Sequence, residues 1–254
     1  MMKERIKLAL YPFAGTLTII IAWQIYVDVF DINQVVLPSP LDIYLVSVEE
    51  FGLLMSETWP TTKEIVYGFA LAILLGVPMA VGIANSKFLN LTFYPILIAI
   101  QSVPKVAIAP IVLVWFGTGI ESKLVIAFLV AFFPIVVDTA TGLNATSRDL
   151  LDLAKSLRAT PFQTFMKVQF PSALPHFFSG AKVAVTLAVI GAVIGEFVGS
   201  DAGLGNLLLV ANSQLDSPLA WASLMWLSVL GILMFLAVVW AERMIMPWGV
   251  GGHL

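Results

Sequence analysis

The stretch that decides the fold runs from Leu150 to Pro175 and reads LLDLAKSLRATPFQTFMKVQFPSALP. It carries several charged residues within a chain that is otherwise mostly apolar. Its first half places Leu150, Leu153 and Leu157 at helical spacing, with polar residues on the opposite face. This pattern predicts a short amphipathic helix.

A second helix start follows within a few residues. Thr160 has the character of an N-cap, Pro161 suits the first helical position, and Gln163 completes a capping box three residues after the cap. We expect the first helix to stop near Arg158 and the second to end before Pro171. The sequence therefore predicts a helix–turn–helix corner that is too short to form a domain of its own.

Two uses of this corner fit the pattern. As a connector, it would pack its apolar face under the rest of the chain. Alternatively, the second helix presents Phe162, Phe165 and Met166 together, as a firm projection that docks in a groove of a soluble partner.

The composition of the whole chain is that of an integral membrane protein. Of 254 residues, 59% are hydrophobic and 11% are charged, and the mean hydropathy is +0.97. Soluble domains have about 45–50% apolar and about 25% charged residues. The chain has no cysteine, which excludes disulfides and thiol chemistry, and its two histidines, His176 and His253, are too far apart to indicate a metal site.

Six segments are long and apolar enough to cross a bilayer as helices. We therefore predict an all-α integral membrane fold with six transmembrane helices in a single domain, residues 1–254. The third segment contains several prolines, so we expect it to be kinked or preceded by a short interfacial piece. The predicted spans are Leu8–Val27, Ile65–Ala84, Leu91–Phe116, Leu124–Leu143, Phe177–Val198 and Leu219–Trp240.

The distribution of basic residues predicts which side of the membrane each connection faces. Basic residues cluster before span one, between spans two and three, between spans four and five, and after span six. Because cytoplasmic connections are enriched in Lys and Arg, both termini and the loop at 146–171 are expected in the cytoplasm. These residues are Lys3, Arg5, Lys7, Lys87, Arg148, Lys155, Arg158, Lys167 and Arg243.

The first outer connection predicts an amphipathic helix over residues 38–57. Ser39 is a suitable N-cap, Pro40 fits the first helical position, and Asp42 lies in the first turn. Its apolar face would lie on the membrane or on other spans. That face consists of Leu41, Tyr44, Leu45, Val48 and Phe51.

The corner segment resembles the EAA signature of ABC importer permeases, which reads Glu-Ala-Ala, three residues, Gly, nine residues, Ile, one residue, Leu-Pro. The matching positions here begin at Asp152 and end at Pro171. Further stretches, including IQSVPKVAIAPIVLVWFGTGIESK and IGEFVGSDAGLGNLL, resemble the nitrate/sulfonate/taurine-type permeases over nearly the whole chain.

The resemblance implies a type I importer permease in the cytoplasmic membrane of a bacterium or archaeon. The expected partners are a second copy of the chain, an ABC ATPase dimer, a periplasmic or lipoprotein substrate-binding protein and membrane lipid, with no nucleic acid. ATP and Mg would be bound by the ATPase, and this chain would carry no cofactor. Residues implied to couple to the ATPase are Asp152, Ala154, Arg158, Ala159, Thr160, Pro161, Phe162, Phe165, Val168 and Pro171.

Three positions depart from the signature. Asp152 replaces Glu, Leu153 replaces Ala, and Arg158 stands where the family usually has Gly. Because that glycine allows the tight turn between the two helices, Arg158 predicts a turn made with an ordinary backbone or displaced by one residue.

Ionisable residues inside the spans are candidate functional groups, because charges at membrane depth are rare. Lys105, one turn after Gln101, would attract an anionic solute, pair with a carboxylate or snorkel. Glu196 would belong to an outer gate, pair with Lys105, or accept a structural hydrogen bond from neighbouring backbone. Asp138 and Lys182 are expected to approach each other or another opposite charge as a structural ion pair.

The sequence carries no ATP-binding chemistry of its own. It lacks the G-x-x-x-x-G-K-[ST] phosphate-binding loop and any nucleophile–His–carboxylate set, so we expect a transport subunit and not an enzyme. The alternatives are a secondary transporter or channel without an ATPase, whose folds commonly show internal repeats, and a membrane scaffold. The solute is open among sulfonate, nitrate, bicarbonate and a heterocycle such as a vitamin precursor.

Overall fold

The computed structural model describes residues 2–247, and it describes side chains from Tyr11 onward with the exception of residues 12 and 13. His253 and the rest of residues 248–254 lie outside this part. Every regular element in the described residues is helical, which agrees with the predicted all-α fold. The helices are α1 (Met2–Val29), α2 (Pro40–Glu49), α3 (Phe51–Asn85), α4 (Lys87–Gln101), α5 (Ala109–Phe116), α6 (Ile120–Asn144), α7 (Arg148–Ser156), α8 (Pro161–Thr164), α9 (Phe170–Gly199), α10 (Leu204–Ser213) and α11 (Ser217–Ile245), with a 3₁₀ turn at Lys105–Ile108 and a π turn at Phe165–Gln169.

Four continuous helical stretches are long and apolar enough to cross a membrane: α3, α6, α9 together with the turns before it, and α11. They contain predicted spans two, four, five and six. The first predicted span lies in α1, whose stretch from Ala14 to Val29 is apolar. The third does not form one continuous helix.

The helix that follows the first predicted span is shorter than predicted. Ser39 caps it as predicted, with Pro40 in the first turn, and Asp42 completes a capping box. The helix ends at Glu49, however, and α3 begins at Phe51, so the prediction of one helix over 38–57 is wrong. The second spanning helix is accordingly 35 residues long and includes charged residues that the sequence pattern assigned to a loop.

Glycines bring α3 and α6 into close contact. A Cβ atom placed on Gly68 would lie 2.6 Å from the Cβ of Ala127, and one on Gly76 would lie 2.8 Å from Ile135 Cγ2. Both pairs increase in residue number together, so α3 and α6 run in the same direction. Small residues at such contacts allow the backbones of membrane helices to approach closely.

The contact between α6 and α9 is antiparallel and equally close. A Cβ on Gly180 would lie 2.7 Å from the Cβ of Asp138, and one on Gly191 would lie 2.7 Å from the Cα of Ala127. Residue numbers rise on one helix as they fall on the other. Helix α6 therefore packs between α3 and α9 at the centre of the bundle.

The segment between α3 and α6 is a broken span. Helices α4 and α5 meet at 90°, with the break at residues 102–104. Because α3 and α6 are parallel, the chain must return to the far end of the bundle between them. Gly82 at the end of α3 faces Leu89 of α4, and Gly199 at the opposite end of the bundle faces Leu113 of α5, as this return requires.

The second helix of the corner does not end before Pro171, as the sequence predicted. Helical structure continues from Pro161 to Gly199 over 39 residues. The amide of Phe170 donates to the carbonyl of Phe165, five residues earlier. This wider π turn precedes Pro171, whose ring lacks an N–H and would crowd the carbonyl four residues before it in a regular α-helix.

The close helix contacts lead to a stability prediction. We expect Gly191→Ala to lower the free energy of unfolding by about 1–3 kcal/mol, because the added methyl group overlaps the α6 backbone. Gly231→Ala is the matched control, since its Cβ would make ordinary contacts at 3.9 Å and 4.0 Å with Val189. Thermal unfolding of the two purified variants in detergent measures the difference. Equal unfolding temperatures would contradict the close contact.

Candidate functional site

The turn between α7 and α8 is made by Arg158 itself. Its φ is +54°, in the left-handed region that glycine adopts most readily. The Ala159 amide donates to the Ala154 carbonyl at 3.0 Å, and the Arg158 amide donates to the Lys155 carbonyl at 2.9 Å. This is a Schellman motif, and the expectation of an ordinary or displaced turn is wrong. The left-handed conformation costs an arginine about 1 kcal/mol.

The start of α8 forms as the sequence predicted. The Thr160 amide donates to Gln163 Oε1 at 2.9 Å, the Gln163 amide donates to Thr160 Oγ1 at 3.3 Å, and Pro161 occupies the first turn. A C-terminal cap on α7 thus passes directly into an N-terminal cap on α8. The two caps satisfy backbone groups on both sides of the bend and hold the corner in one geometry.

The corner presents exposed apolar side chains, which we call the loop apolar surface: Leu153, Leu157 and Phe162. Phe162 is 70% exposed at the start of α8. Phe165 is different from the prediction, because it is half-buried and its ring packs 6.1 Å from that of Phe170.

Of the other predicted coupling residues, three line a groove and one forms a local ion pair. Ala154, Ala159 and Val168 line a groove between α7 and the π turn, while Pro171 lies half-buried at the start of α9. Asp152 accepts a hydrogen bond from Lys155 at 3.0 Å on the exposed face of α7. An exposed pair of this kind contributes little to stability.

Lys105 lies at the bend of the broken span. Its Nζ is 5.7 Å from the centre of the Phe133 ring, and it lines a small apolar pocket against α6. Among the residues whose side chains the structure describes, no carboxylate lies within ion-pair distance of it. Gln101 is exposed at the end of α4.

Glu196 is buried within the protomer. It is 1% exposed, accepts a hydrogen bond from Thr61 Oγ1 at 2.6 Å and accepts another from the Gly205 amide at 2.6 Å. Of the three predicted roles, the structural hydrogen bond to neighbouring backbone is the one observed. The expected pairing with Lys105 is not found.

Glu196 belongs to a buried polar group that sequence reasoning missed, which we call the Glu196 cluster: Glu57, Thr61, Glu64, Lys123 and Glu196. Glu64 and Lys123 are 2% and 7% exposed, and Lys123 interacts electrostatically with both Glu64 and Glu196. Residues 57, 61 and 64 are spaced so that they share one face of a helix. This spacing is the pattern from which the cluster could have been predicted.

The cluster holds the turn between α9 and α10 against α3. Glu57 accepts a hydrogen bond from the Gly203 amide at 2.5 Å, and Thr61 accepts one from the Leu204 amide at 2.9 Å. Gly203 has a φ of +108°, which a side chain would rarely adopt. The amides at the start of α10 thereby find acceptors on α3 and α9.

The predicted ion pair between Asp138 and Lys182 is replaced by a different one. Lys182 Nζ lies 2.6 Å from Glu242 Oε2, which joins α9 to α11. Asp138 lies instead between α6 and α9, where Gly180 leaves room for it, and it interacts electrostatically with His176. The prediction that Lys182 meets an opposite charge is thus correct, with Glu242 as the partner.

One face of α9 is exposed and carries both polar and apolar side chains. We call His176, Ser179 and Thr186 the α9 polar stripe, and they share this face with the exposed Val183 and Ile190. The exposed face of α11 is mostly apolar. It contains Leu224, Met225, Val229, Ile232, Leu233 and Leu236, together with Ser228.

Comparison with known proteins gives the family. Residues 72–247 match the model of the binding-protein-dependent transport system inner membrane component. The chain is 36% identical to the formylaminopyrimidine transport permease protein ThiX of Halalkalibacterium halodurans over 94% of this chain and 96% of that protein. It is 31% identical to the riboflavin transport system permease protein RibX of Chloroflexus aurantiacus over 91% of this chain and 87% of that protein.

Two further similarities extend the comparison. The chain is 30% identical to the putative aliphatic sulfonates transport permease protein SsuC of Bacillus subtilis over 91% of this chain and 84% of that protein. Its fold matches a chain of the MetNI methionine ABC transporter in inward-facing conformations, with a TM-score of 0.67, 22% identity and coverage of 78% of this chain and 98% of that one. The chain therefore belongs to the binding-protein-dependent transport system inner membrane components, the permease subunits of ABC transporters.

Proposed function

We propose that two copies of this chain form the solute pathway of an ATP-driven importer, with the α9 polar stripe and Lys105 facing the pathway. The polar stripe is the observation that carries the proposal. Thr186 Oγ1 donates to the Val183 carbonyl at 2.8 Å within α9, so the need for water or protein as a neighbour falls on the side chains of His176 and Ser179. The apolar exposed face of α11 suits lipid, so the two faces of one protomer have different environments.

The loop at 146–171 is the coupling element in this proposal. Its loop apolar surface docks in a groove of the ATPase, which binds ATP and Mg and supplies the hydrolysis. Because helical structure runs without interruption from Pro161 to Gly199, a displacement of the corner moves the same helix that carries the polar stripe. The apolar exposure of Phe162, on a corner fixed by two caps, supports docking over the connector alternative.

The orientation of the chain follows the distribution of basic residues. We place the 146–171 loop and both termini in the cytoplasm, and α2 with the α9–α10 turn on the outer side. The substrate-binding protein would then deliver solute at the end of the bundle where the Glu196 cluster lies.

We propose that the solute is a small polar heterocycle. Two relatives at 36% and 31% identity carry the names of a formylaminopyrimidine and of riboflavin, and one at 30% carries that of aliphatic sulfonates. Identification of the compound that co-purifies with the binding protein encoded beside this chain tests the assignment, and a sulfonate, nitrate or bicarbonate would overturn it.

The pathway assignment predicts where water reaches the protein. The chain contains no cysteine, so single cysteines report their own accessibility. In membranes, Thr186→Cys should react with a hydrophilic thiol reagent at least tenfold faster than Leu233→Cys, because only the former would face the pathway. Mass spectrometry of the labelled chain measures the rates. Labelling of Leu233→Cys at an equal rate would contradict the assignment.

The docking of the loop predicts a large effect at an exposed position. Phe162→Asp should abolish uptake and co-purification of the ATPase while the membrane fold is retained, because a carboxylate in an apolar interface is strongly destabilising. Met244→Asp is the matched control, since Met244 is also exposed, at 63%, near the same end of the bundle. Normal uptake by the Phe162 variant would support a transporter that runs without an ATPase.

The left-handed turn predicts an order of stability among variants of Arg158. Arg158→Gly should keep the turn, whereas Arg158→Val should loosen it by about 1 kcal/mol or more, because a β-branched residue is strongly disfavoured at positive φ. Hydrogen–deuterium exchange of the peptide that spans the turn measures this. If Arg158→Gly exchanged as fast as Arg158→Val, the guanidinium and not the backbone would hold the corner.

A further inference from the structure

Asp138 is a charged side chain that the coupling mechanism does not use. It lies on α6 about 9 Å from the end of that helix at Asn144, by the rise of an α-helix. The absence of a Cβ on Gly180 leaves space for its carboxylate. None of the side chains from residue 14 to residue 247 donates a hydrogen bond to this carboxylate, and the side chain of Asp138 is half-buried and so reachable from the surface.

The two lysines nearest to Asp138 on the surrounding elements do not pair with its carboxylate. Lys182 is the nearest lysine in sequence on α9, but it is occupied by Glu242 on α11. Lys105 packs on Phe133, which lies about 7.5 Å farther along α6 toward the opposite end. His176 is the group that faces Asp138 from α9, and it is exposed in the polar stripe.

We propose that Asp138 is a specificity-determining residue of the pathway, giving its cytoplasmic half a negative potential that favours neutral or cationic solutes with N–H donors and disfavours small anions. This inference rests on the proposed function, because it requires the α9 polar stripe to face the pathway. Ser179 of the α9 polar stripe lies beside Gly180, so the field of Asp138 acts on this part of the stripe.

The physical basis is the focusing of a field in a water-filled passage with apolar walls. A fixed charge in such a passage changes the local concentration of a charged solute by about tenfold or more. Rings of carboxylates select cations in channels for the same reason. An uncompensated carboxylate also accepts hydrogen bonds from N–H groups, which a sulfonate, nitrate or bicarbonate does not offer.

Because the solute is not identified, the test uses two thiol reagents of opposite charge. Ser179→Cys in the complete complex, in membranes, is treated with 2-(trimethylammonium)ethyl methanethiosulfonate or with 2-sulfonatoethyl methanethiosulfonate. Each rate is divided by that of a free thiol in solution. We expect the cationic reagent to be favoured about tenfold.

The variants at Asp138 decide the cause of that preference. In the Ser179→Cys background, Asp138→Asn should bring the normalised ratio close to unity, and Asp138→Glu should keep it, with size-exclusion profiles checking the fold of each. If the ratio is near unity in Ser179→Cys itself, or if Asp138→Asn does not alter it, the role of Asp138 is overturned and the pathway assignment still stands. Failure of Ser179→Cys to react with either reagent would overturn the pathway assignment as well.

Discussion

The close approach of α6 to α3 and α9 is the constraint on which the rest of the structure depends. Glycines on α3 and α9 remove the side chains that would separate the backbones, and they fix the parallel and antiparallel directions of the three helices. Those directions force the chain between α3 and α6 to cross the bundle. The 90° break in α4 and α5 is therefore one spanning element in two pieces, and its irregular backbone lies where Lys105 meets α6.

Helix α9 connects the features to which the proposed function assigns roles. At one end it continues into the corner with its loop apolar surface, and at the other it carries Glu196, which is tied to α3 and to α10. Between these ends lie the contacts with α6 and the polar stripe. A force applied at the corner reaches the stripe through a single backbone, while the Glu196 cluster fixes the far end to its neighbours. Buried hydrogen-bonded charges of this kind resist displacement because breaking them leaves an unpaired charge.

The helix caps, which depend on neighbouring residues, were predictable from the sequence, whereas the contacts between distant helices were not. The N-cap at Ser39 and the capping box at Thr160 depend on residues within one turn, and both form as predicted. Glu64 and Lys123 lie just before the second and fourth predicted spans, and nothing local shows that helices from distant parts of the sequence will enclose them. Arg158 and Pro171 were misjudged for another reason. Each breaks a preference of about 1 to 3 kcal/mol, and the caps, the π turn and the surrounding helices outweigh it.

The π turn before Pro171 also determines the angle, measured about the helix axis, between the corner and the rest of α9. A hydrogen bond that reaches back five residues holds one more residue in its turn than an α-helical bond does. Each residue of an α-helix turns the chain by about 100°. The direction in which Phe162 points, relative to His176 and the stripe beyond it, therefore depends on this single turn. Removal or addition of one residue there would leave the loop apolar surface and the α9 polar stripe intact but would change their relative direction, so the angle between these two surfaces is determined over only five residues.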